Sequence, residues 1–167
     1  MKEFSEQNII GNSLDNLKSL VKKFAEKGRP LLILGASGTG KELFANLYAK
    51  AINKKLVPIN CAGLQESLLR SELFGHVKGA FSDAKKGRKG ILEEHGEGKV
   101  LFLDEIGSAS KFFQSTLLRV IEYGDYKKVG GDKIEHINVG NLRIVCATSK
   151  PHNMERDFLN RFRIVYI

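Results

Sequence analysis

A glycine-rich segment between an apolar run and a helical pattern constrains the fold more than any other feature of this chain. Residues 31–34 are apolar enough to form a buried strand, and residues 42–50 have a helical pattern. A strand, a glycine-rich turn and a helix that starts at a lysine are typical of a phosphate-binding loop, because glycines let successive backbone N–H groups point at one anion. The loop residues are Gly35, Ala36, Ser37, Gly38, Thr39, Gly40 and Lys41.

Lys41 is expected to reach the β- and γ-phosphates of a nucleotide, but the residue after it departs from the usual phosphate-loop pattern. That position normally carries Ser or Thr, whose hydroxyl contacts Mg²⁺, whereas this chain has Glu42. Either the metal is held differently or the loop does not work as a phosphate-binding loop. An ordinary glycine-rich turn with a solvated lysine is the alternative that the rest of the chain has to exclude.

Length and composition indicate one globular domain. The chain has 167 residues, of which 42% are hydrophobic and 28% are charged, so we expect a single folded domain over residues 1–167. It has no apolar run near the ~20 residues of a membrane span and no signal-peptide segment at its start, which favours a cytoplasmic protein without a membrane partner. Cys61 and Cys146 lie in or beside apolar runs and are predicted to be reduced core residues. The four histidines lack the spacing of metal ligands.

The formal charge of +8 favours an anionic ligand or partner. Five of the cations lie between Lys78 and Lys89, in a segment rich in glycine and small residues. Residues 75–90 are therefore predicted to form a long projecting loop, and loops of this length are usually functional or disordered. A solvated mobile loop is the alternative to nucleic-acid binding, and the sequence has no zinc finger, RNP motif or basic heptad region.

Strand and helix patterns alternate along the chain. The alternation predicts an α/β fold in three layers, with a central parallel sheet of about five strands. Pro58 favours an edge position for the second strand, and Phe112 is expected among the buried residues of its helix. Helices are predicted over residues 14–24, 42–52, 66–73, 111–123 and 153–162, strands over 31–34, 56–59, 99–103, 142–147 and 163–167, and a hairpin within 124–141.

Polar residues follow two of the predicted strands. Asp104 and Glu105 close the third strand, and in open α/β sheets ligands bind at the carboxyl ends of the strands. Beside a phosphate-binding loop, Asp104 is a candidate Mg²⁺ ligand and Glu105 a candidate general base for water, unless both simply cap the following helix. Thr148 and Ser149 end the fourth strand and are candidates for sensing a γ-phosphate, with a simple β-turn as the alternative.

Three arginines, Arg156, Arg161 and Arg163, cluster near the end of the chain. An arginine that reaches the γ-phosphate of a neighbouring subunit would act as an arginine finger. A solvated helix face with an edge-strand charge is the alternative. Two Ser-x-x-Lys matches, at residues 82–85 and 108–111, lack the partner motifs of a serine acyl enzyme and are set aside.

Together these residues resemble the AAA+ ATPase domain of bacterial enhancer-binding proteins, the activators of sigma-54 RNA polymerase. That family also carries glutamate after the phosphate-loop lysine, so Glu42 fits its pattern. The resemblance runs from about Ile9 to Ile167 and implies the P-loop NTPase fold of the AAA+ large subdomain, with the helical lid absent from this sequence. The matching segments are residues 35–42, 59–62, 71–81, 101–107 and 117–120.

The resemblance implies a Mg²⁺-dependent ATPase with ATP and Mg²⁺ as cofactors. It implies that Lys41 binds phosphate, that Asp104 binds Mg²⁺ and that Glu105 activates water. Asn60 matches the family's switch asparagine, which holds the catalytic glutamate until a signal arrives. The residues implied to pack the adenine are Ile10 and Gly11, and the residue at the position of the sensor asparagine is Ser149.

The resemblance also implies a loop that rises with the ATP state and presses Phe and Thr against sigma-54. Phe81 is expected to be an exposed contact tip, with packing back into the core as the alternative. This chain has Ser-Asp where the family loop Gly-Ala-Phe-Thr-Gly-Ala has Thr-Gly. This difference leaves a second interpretation, in which the chain is a related regulator that does not contact sigma-54. The loop residues are Gly79, Ala80, Phe81, Ser82, Asp83 and Ala84.

Other departures from the family pattern favour an alternative hypothesis, in which the chain is a module that binds nucleotide without hydrolysing it. Ser149 is shorter than asparagine, and of the family's two terminal arginines only Arg161 is in register, with Glu155 at the first position and Arg156 one residue away. Active family members form rings, here expected to be hexamers or heptamers, because the catalytic site lies between subunits. The family's lid and helix-turn-helix domain do not occur in this sequence. We expect a fragment of a longer regulator that contacts DNA only through another domain, with a naturally reduced protein as the alternative.

Overall fold

The computed structural model describes residues 14–95 and 98–167. None of the helices in these ranges combines the length and the apolar character that crossing a membrane requires. The helices are α1 (Asp15–Glu26), α2 (Lys41–Ala51), α3 (Glu66–Phe74), α4 (Ile91–His95), α5 (Lys111–Tyr123) and α6 (Arg156–Leu159). The strands are β1 (Leu31–Leu34), β2 (Leu56–Asn60), β3 (Gly75–His76), β4 (Arg88–Lys89), β5 (Val100–Asp104), β6 (Asp125–Lys127), β7 (Ile134–His136), β8 (Arg143–Thr148) and β9 (Arg163–Tyr166).

Five strands form the central sheet in the order β2-β5-β8-β1-β9, and each neighbouring pair is parallel. This confirms the predicted parallel α/β sheet. The interior strands β1, β5 and β8 are almost wholly buried, as expected of strands that helices cover on both faces. Pro58 lies in the edge strand β2, as predicted, because proline cannot donate a ladder hydrogen bond. Cys61 and Cys146 are buried and reduced, also as predicted.

Helices cover both faces of the sheet and complete the three layers. Side chains alternate between the faces along β1, since successive residues of a strand point to opposite sides. Leu31 and Ile33 belong to a core shared with α1 and α2, where Phe44 is buried. Leu32 and Leu34 belong to the other core, shared with α3, α5 and α6.

The segment from residue 75 to 90 projects from a two-stranded base. β3 pairs with β4, and two glycines make this close approach possible: a Cβ on Gly75 would lie 2.5 Å from the Arg88 carbonyl oxygen, and one on Gly90 would lie 2.3 Å from Gly75 N. The chain after β6 is attached to the same base, because Val129 N donates to Gly75 O at 2.9 Å and Val77 N donates to Val129 O at 3.1 Å. The predicted long loop is therefore present, but its ends are strands.

Two expectations about the helices are wrong. The last helix is only Arg156–Leu159 instead of residues 153–162, because the backbone of Met154 is extended and its side chain is buried, and because the chain enters β9 at Arg163. Phe112 is 56% exposed, since its neighbour Phe113, which is 0% exposed, takes the inward position of α5.

Candidate functional site

The loop between β1 and α2 has the bent form that a phosphate-binding loop needs. Gly38 and Gly40 have φ values of 82° and 89°, a region that residues with a Cβ rarely adopt. A Cβ on Gly35 would lie 2.7 Å from Thr39 Oγ1, and this hydroxyl donates to the Ala36 carbonyl at 2.9 Å. Residues 36–39 are exposed and lead into the first turn of α2, where the helix dipole favours an anion.

Lys41 joins this loop to the carboxyl end of β5. It begins α2 and is 7% exposed. Its Nζ donates to the carbonyl oxygens of Gly35 at 3.1 Å and Ala36 at 2.9 Å, and it lies 3.6 Å from Glu105 Oε1. The structure thus brings together the lysine and the carboxylate that the sequence singled out.

Glu105 is held in an unusual backbone conformation that turns its side chain toward the loop. Its φ is 51°, in the left-handed region that is uncommon for residues other than glycine and that often occurs at functional sites. Its Oε2 accepts hydrogen bonds from the backbone N and the Oγ of Ser149, each at 3.0 Å. Burial raises the pKa of Glu105, but the bonds from Ser149 and the charge of Lys41 outweigh burial and place the pKa below its ordinary value.

Asp104 is the last residue of β5, and its carboxylate is less well compensated. Its Oδ1 accepts from the backbone N of Glu105 at 2.9 Å. Burial and, less strongly, the charge of Glu105 raise the pKa of Asp104, although this bond and the charge of Lys41 act in the opposite direction. A nearby cation would therefore stabilise the ionised form of Asp104.

Asn60 lies at the same carboxyl end of the sheet, beside Asp104. The Cα atoms of these two residues are partners in the β2–β5 ladder. The Asn60 amide oxygen accepts from the backbone N of Ala62 at 2.9 Å, so the side chain is used by its own turn. In the described part of the chain, Glu105 is bonded to Ser149 and Lys41 instead of Asn60.

Thr148 and Ser149 end β8 next to this site but have different surroundings. Thr148 is fully buried, and its Oγ1 accepts from the backbone N of Lys150 at 2.9 Å. A Cβ on Gly107 would lie 2.5 Å from that same oxygen, so glycine is required where the turn after β5 meets the end of β8. The sequence analysis includes Gly107 as the end of the matching segment 101–107 but assigns it no role, although its position two residues after Glu105 was a signal for one. Ser149 alone of the pair contacts the candidate base.

Arg161, one of the two predicted arginine fingers, lies away from the loop. Arg161 contacts the carboxylate of Glu122 on α5 through its Nε. It comes two residues before Arg163, whose partner in the ladder is Leu31, the first residue of β1. The candidate phosphate-binding loop follows the last residue of β1, at the carboxyl end of the strands. Arg161 therefore lies near the opposite, amino end of the strands. Arg156 is exposed at the start of α6.

Phe81 in the predicted partner loop is half-buried instead of bare. Its ring meets the His76 ring edge-on, with 4.9 Å between centroids. His76 is buried, pairs through Nδ1 with Ser71 Oγ at 2.7 Å, and donates through Nε2 to the Lys86 carbonyl at 3.1 Å. The loop therefore packs on its own base. Of the other loop residues, Ala84 is buried, Ala80 is half-buried, and Gly79, Ser82 and Asp83 are exposed.

The remaining candidates give less information. Glu42 is exposed in the first turn of α2, where a carboxylate is favoured by the helix dipole. Ile10 and Gly11, the predicted adenine contacts, lie outside the described residues. Among residues 14–95 and 98–167, no group of three or more His, Cys, Asp or Glu side chains could hold a metal ion.

Comparison with known proteins identifies the family. A model of the sigma-54 interaction domain matches residues 9–164. The chain belongs to the sigma-54 interaction domain family. It is 47% identical over 150 residues to the Nif-specific regulatory protein of Azotobacter vinelandii, and 44% identical over 154 residues to the anaerobic nitric oxide reductase transcription regulator NorR of Vibrio vulnificus. These alignments cover 87% and 89% of this chain but 28% and 29% of the two relatives, so this sigma-54 interaction domain spans less than a third of their length.

Solved structures agree with the fold of this sigma-54 interaction domain. NtrX from Brucella abortus superimposes with a TM-score of 0.78 at 26% identity, covering 95% of this chain and 37% of NtrX. A second NtrX structure, in complex with ADP, gives a TM-score of 0.77 at 27% identity. The RuvB Holliday junction branch migration motor of Thermotoga maritima gives 0.65 at 19% identity, covering 99% of this chain and 48% of RuvB, and shows a shared fold alone. The AAA+ P-loop fold expected from the sequence is confirmed.

Proposed function

We propose that this domain binds and hydrolyses ATP and couples the nucleotide state to a loop that acts on sigma-54 RNA polymerase. The observation that carries the proposal is the distance of 3.6 Å between Lys41 Nζ and Glu105 Oε1 at the carboxyl end of the sheet. Phosphoryl transfer to water needs a cation on the phosphates and a group that orients the water, and these two side chains supply both. The ADP complex of NtrX, which is 27% identical to this chain, supports nucleotide binding by this fold.

An arriving triphosphate would draw Lys41 away from its present contacts. The ammonium is bonded to the neutral carbonyls of Gly35 and Ala36, and charged phosphate oxygens are stronger acceptors. The N-terminus of α2 and the N–H groups of the loop favour the same anion. Binding would therefore separate Lys41 from Glu105.

Glu105 is the proposed general base. Its lowered pKa keeps it ionised at neutral pH, so it can accept a proton from the attacking water. Ser149 occupies Oε2 with two hydrogen bonds, which leaves Oε1 for the water once Lys41 has moved to the phosphates. We therefore assign Ser149 the role of positioning Glu105.

Asp104 is the proposed ligand of Mg²⁺, which neutralises phosphate charge when bound. The raised pKa of this partly buried carboxylate fits a group that a cation would stabilise. Since the described residues contain no ready-made cluster of metal ligands, the other ligands would be phosphate oxygens and water, as is usual for Mg²⁺ at phosphates.

Arg156 and Arg161 are proposed to serve the site of a neighbouring subunit. Arg161 lies near the amino end of the strands, whereas the phosphate-binding loop of the same subunit lies at their carboxyl end. This supports a role for Arg161 at the nucleotide of a neighbouring subunit, within a ring of six or seven subunits. Residues 1–167 would form one ATPase domain of a longer cytoplasmic regulator, and another domain of that regulator would contact DNA.

The sigma-54 contact is proposed for the loop from Gly79 to Ala84. Phe81 packs on His76 in this state, so the ring would have to leave His76 to reach a partner. A pull-down on immobilised sigma-54 with ATP and a transition-state mimic tests the contact. We expect retention that Phe81→Ala abolishes and that Tyr123→Ala, at another exposed aromatic residue, preserves. Equal retention of both variants, or retention of neither variant nor wild type, contradicts the contact.

Phosphate release from ATP and the binding of a fluorescent ATP analogue together test the enzyme. We expect Lys41→Ala to lose binding and turnover, and Glu105→Ala to keep binding but lose turnover. Turnover that survives Glu105→Ala contradicts the proposed base.

A nucleotide-binding module without turnover is the second candidate. It is favoured by one observation: Glu105 is held by Lys41 and Ser149, while the side chain of Asn60 is bonded to Ala62. Wild-type protein that binds the analogue and releases no phosphate, even at concentrations that allow assembly, would establish this alternative.

A further inference from the structure

A groove on the α3–α5 side of the molecule is separate from the nucleotide site. It lies between α3, α5 and the β6–β7 hairpin and encloses about 240 Å³. Its lining shares no residue with the loop after β1 or with the acidic pair at the end of β5. The lining residues that carry the argument are Arg70, Phe112, Arg119, Tyr126, Lys127 and Ile134.

The apolar part of the groove is exposed to an unusual degree. Phe112 is 56% exposed and Ile134 is 58% exposed, although both have large apolar side chains. The guanidinium of Arg70 lies over the Phe112 ring, 4.7 Å from its centroid. Exposed apolar groups combined with aromatic and arginine side chains are typical of the energetic centres of protein interfaces.

The polar part of the groove is positively charged. Arg70, Arg119 and Lys127 line it, and Asp125 is the acidic side chain among the described lining residues. Asp125 is already engaged, because its Oδ1 lies 2.9 Å from His136 Nδ1 and its Oδ2 lies 4.0 Å from the Arg119 guanidinium. The Nε of Arg70 is buried and has no hydrogen-bond partner among the residues that the structure describes. Nε itself has almost no accessible surface, so a ligand would meet the other N–H groups of this half-buried side chain, for which a carboxylate is the acceptor that fits best.

The size of the groove separates a peptide from a small-molecule ligand. Sites for drug-sized molecules enclose roughly 300–1,000 Å³, which is more than the groove offers. A volume of about 240 Å³ suits one or two side chains of a chain that continues over the surface. We propose that this groove binds an acidic peptide segment of a partner protein, which places an aromatic or aliphatic side chain against Phe112 and Ile134 and a carboxylate on Arg70.

The position of the groove gives such a contact a place to act. Arg70 is on α3, which runs directly into β3 and the base of the projecting segment 75–90. Lys127 ends β6, two residues before Val129, which is bonded to the same base. A bound peptide would therefore touch both elements from which this segment projects.

The test uses three fluorescein-labelled ten-residue peptides and the 167-residue chain. The first peptide alternates pairs of Glu or Asp with Leu or Phe, the second has Lys at the acidic positions, and the third has Ser at the apolar positions. Fluorescence anisotropy at about 0.15 M ionic strength limits binding that depends on charge alone. We expect the first peptide to bind at least about tenfold more tightly than either of the others.

Matched variants locate the binding site. Arg70→Gln and Phe112→Ser should each weaken binding of the first peptide about tenfold, since each removes one anchor. Lys23→Gln removes the same charge from the exposed surface of α1 and should leave binding unchanged. Thermal unfolding of each variant, within a few degrees of wild type, shows that the fold is kept.

Three outcomes would overturn the proposal. The first is equal binding of the acidic peptides with and without apolar residues, because charge alone would then explain it. The second is equal weakening by Lys23→Gln and Arg70→Gln, which places the contact elsewhere. The third is self-association that Phe112→Ser abolishes in a chain that binds none of the peptides, because the occupant would then be a second copy of this domain.

Discussion

Replacing Glu105 by glutamine tests the reasoning about the site most directly, because the change removes one charge and keeps the shape of the side chain. Glutamine can still accept a hydrogen bond from the backbone N of Ser149, so the strained turn at position 105 is preserved. It loses the attraction to Lys41 Nζ, 3.6 Å away, and the ability to take a proton from water. Turnover and nucleotide affinity should therefore change in opposite directions.

The charge pair sets the size of the change in affinity. Two unit charges 3.6 Å apart interact by roughly 4–5 kcal/mol at an effective dielectric constant of about 20. The Glu105 side chain is 21% exposed, and Lys41 stays bonded to two carbonyls in the variant, so only part of this energy opposes nucleotide binding. We expect about 1.4 kcal/mol, which is a tenfold tighter complex with ATP. Loss of the general base should lower turnover by about 10²–10⁴.

Titration with a fluorescent ATP analogue and a phosphate-release assay measure these two changes. Glu26→Gln, at the exposed end of α1, removes the same charge outside the site and should leave both quantities at wild-type values. Turnover of Glu105→Gln within about threefold of wild type would refute the assignment of the base, since general-base catalysis contributes more than this. Lost turnover with unchanged affinity would refute the argument that Lys41 must leave Glu105 for the phosphates.

Three further changes test the site and the fold. Ser149→Ala should lower turnover about tenfold in the phosphate-release assay, because one hydrogen bond to a charged group is lost, and Ser149→Thr should restore turnover. Equal rates for the wild type and both variants would contradict the positioning role. Phe113→Ala should lower the free energy of unfolding in urea by about 3–5 kcal/mol, whereas Phe112→Ala should lower it by no more than about 1 kcal/mol, since only the ring of Phe113 is buried. Similar losses for the two variants would contradict the assigned buried face of α5. Gly124→Ala should destabilise the chain by more than about 1 kcal/mol in the same assay, because φ is +79° and the new Cβ would lie 2.1 Å from the Ile137 carbonyl, whereas Gly98→Ala meets open space and should be neutral.

Much of the sheet is predictable because its determinants are local. The strand predicted over residues 31–34 is β1 without change, since four consecutive apolar residues between Pro30 and Gly35 fit a short strand buried on both faces. The helix over residues 111–123 is also found within its predicted bounds, with Ser110 as its N-cap and Gly124 in the left-handed conformation after it. Pro58 correctly marks the edge strand, because its effect on the ladder depends on its own backbone alone.

What the sequence could not supply depends on contacts between distant residues. Glu105 and Ser149 are 44 positions apart, and their hydrogen bonds exist only because β5 and β8 are neighbours in the sheet. The His76 contact of Phe81 likewise depends on how the loop returns to its base.

The buried ring of α5 is a different case, because helical periodicity could have supplied it. Phe113, and not the predicted Phe112, has the spacing of the buried residues that follow it in α5, Leu117, Val120 and Ile121.

The attachment of Val129 to the base of the projecting segment has a mechanical consequence. Its backbone is bonded to Gly75 on one side and to Val77 on the other, at 2.9 Å and 3.1 Å. Any displacement of this segment from its root would pull the residues after β6 along with it, unless both bonds break first. Segment 75–90 and the chain that leads from β6 to β7 are thus connected by main-chain hydrogen bonds, so a movement of one would displace the other.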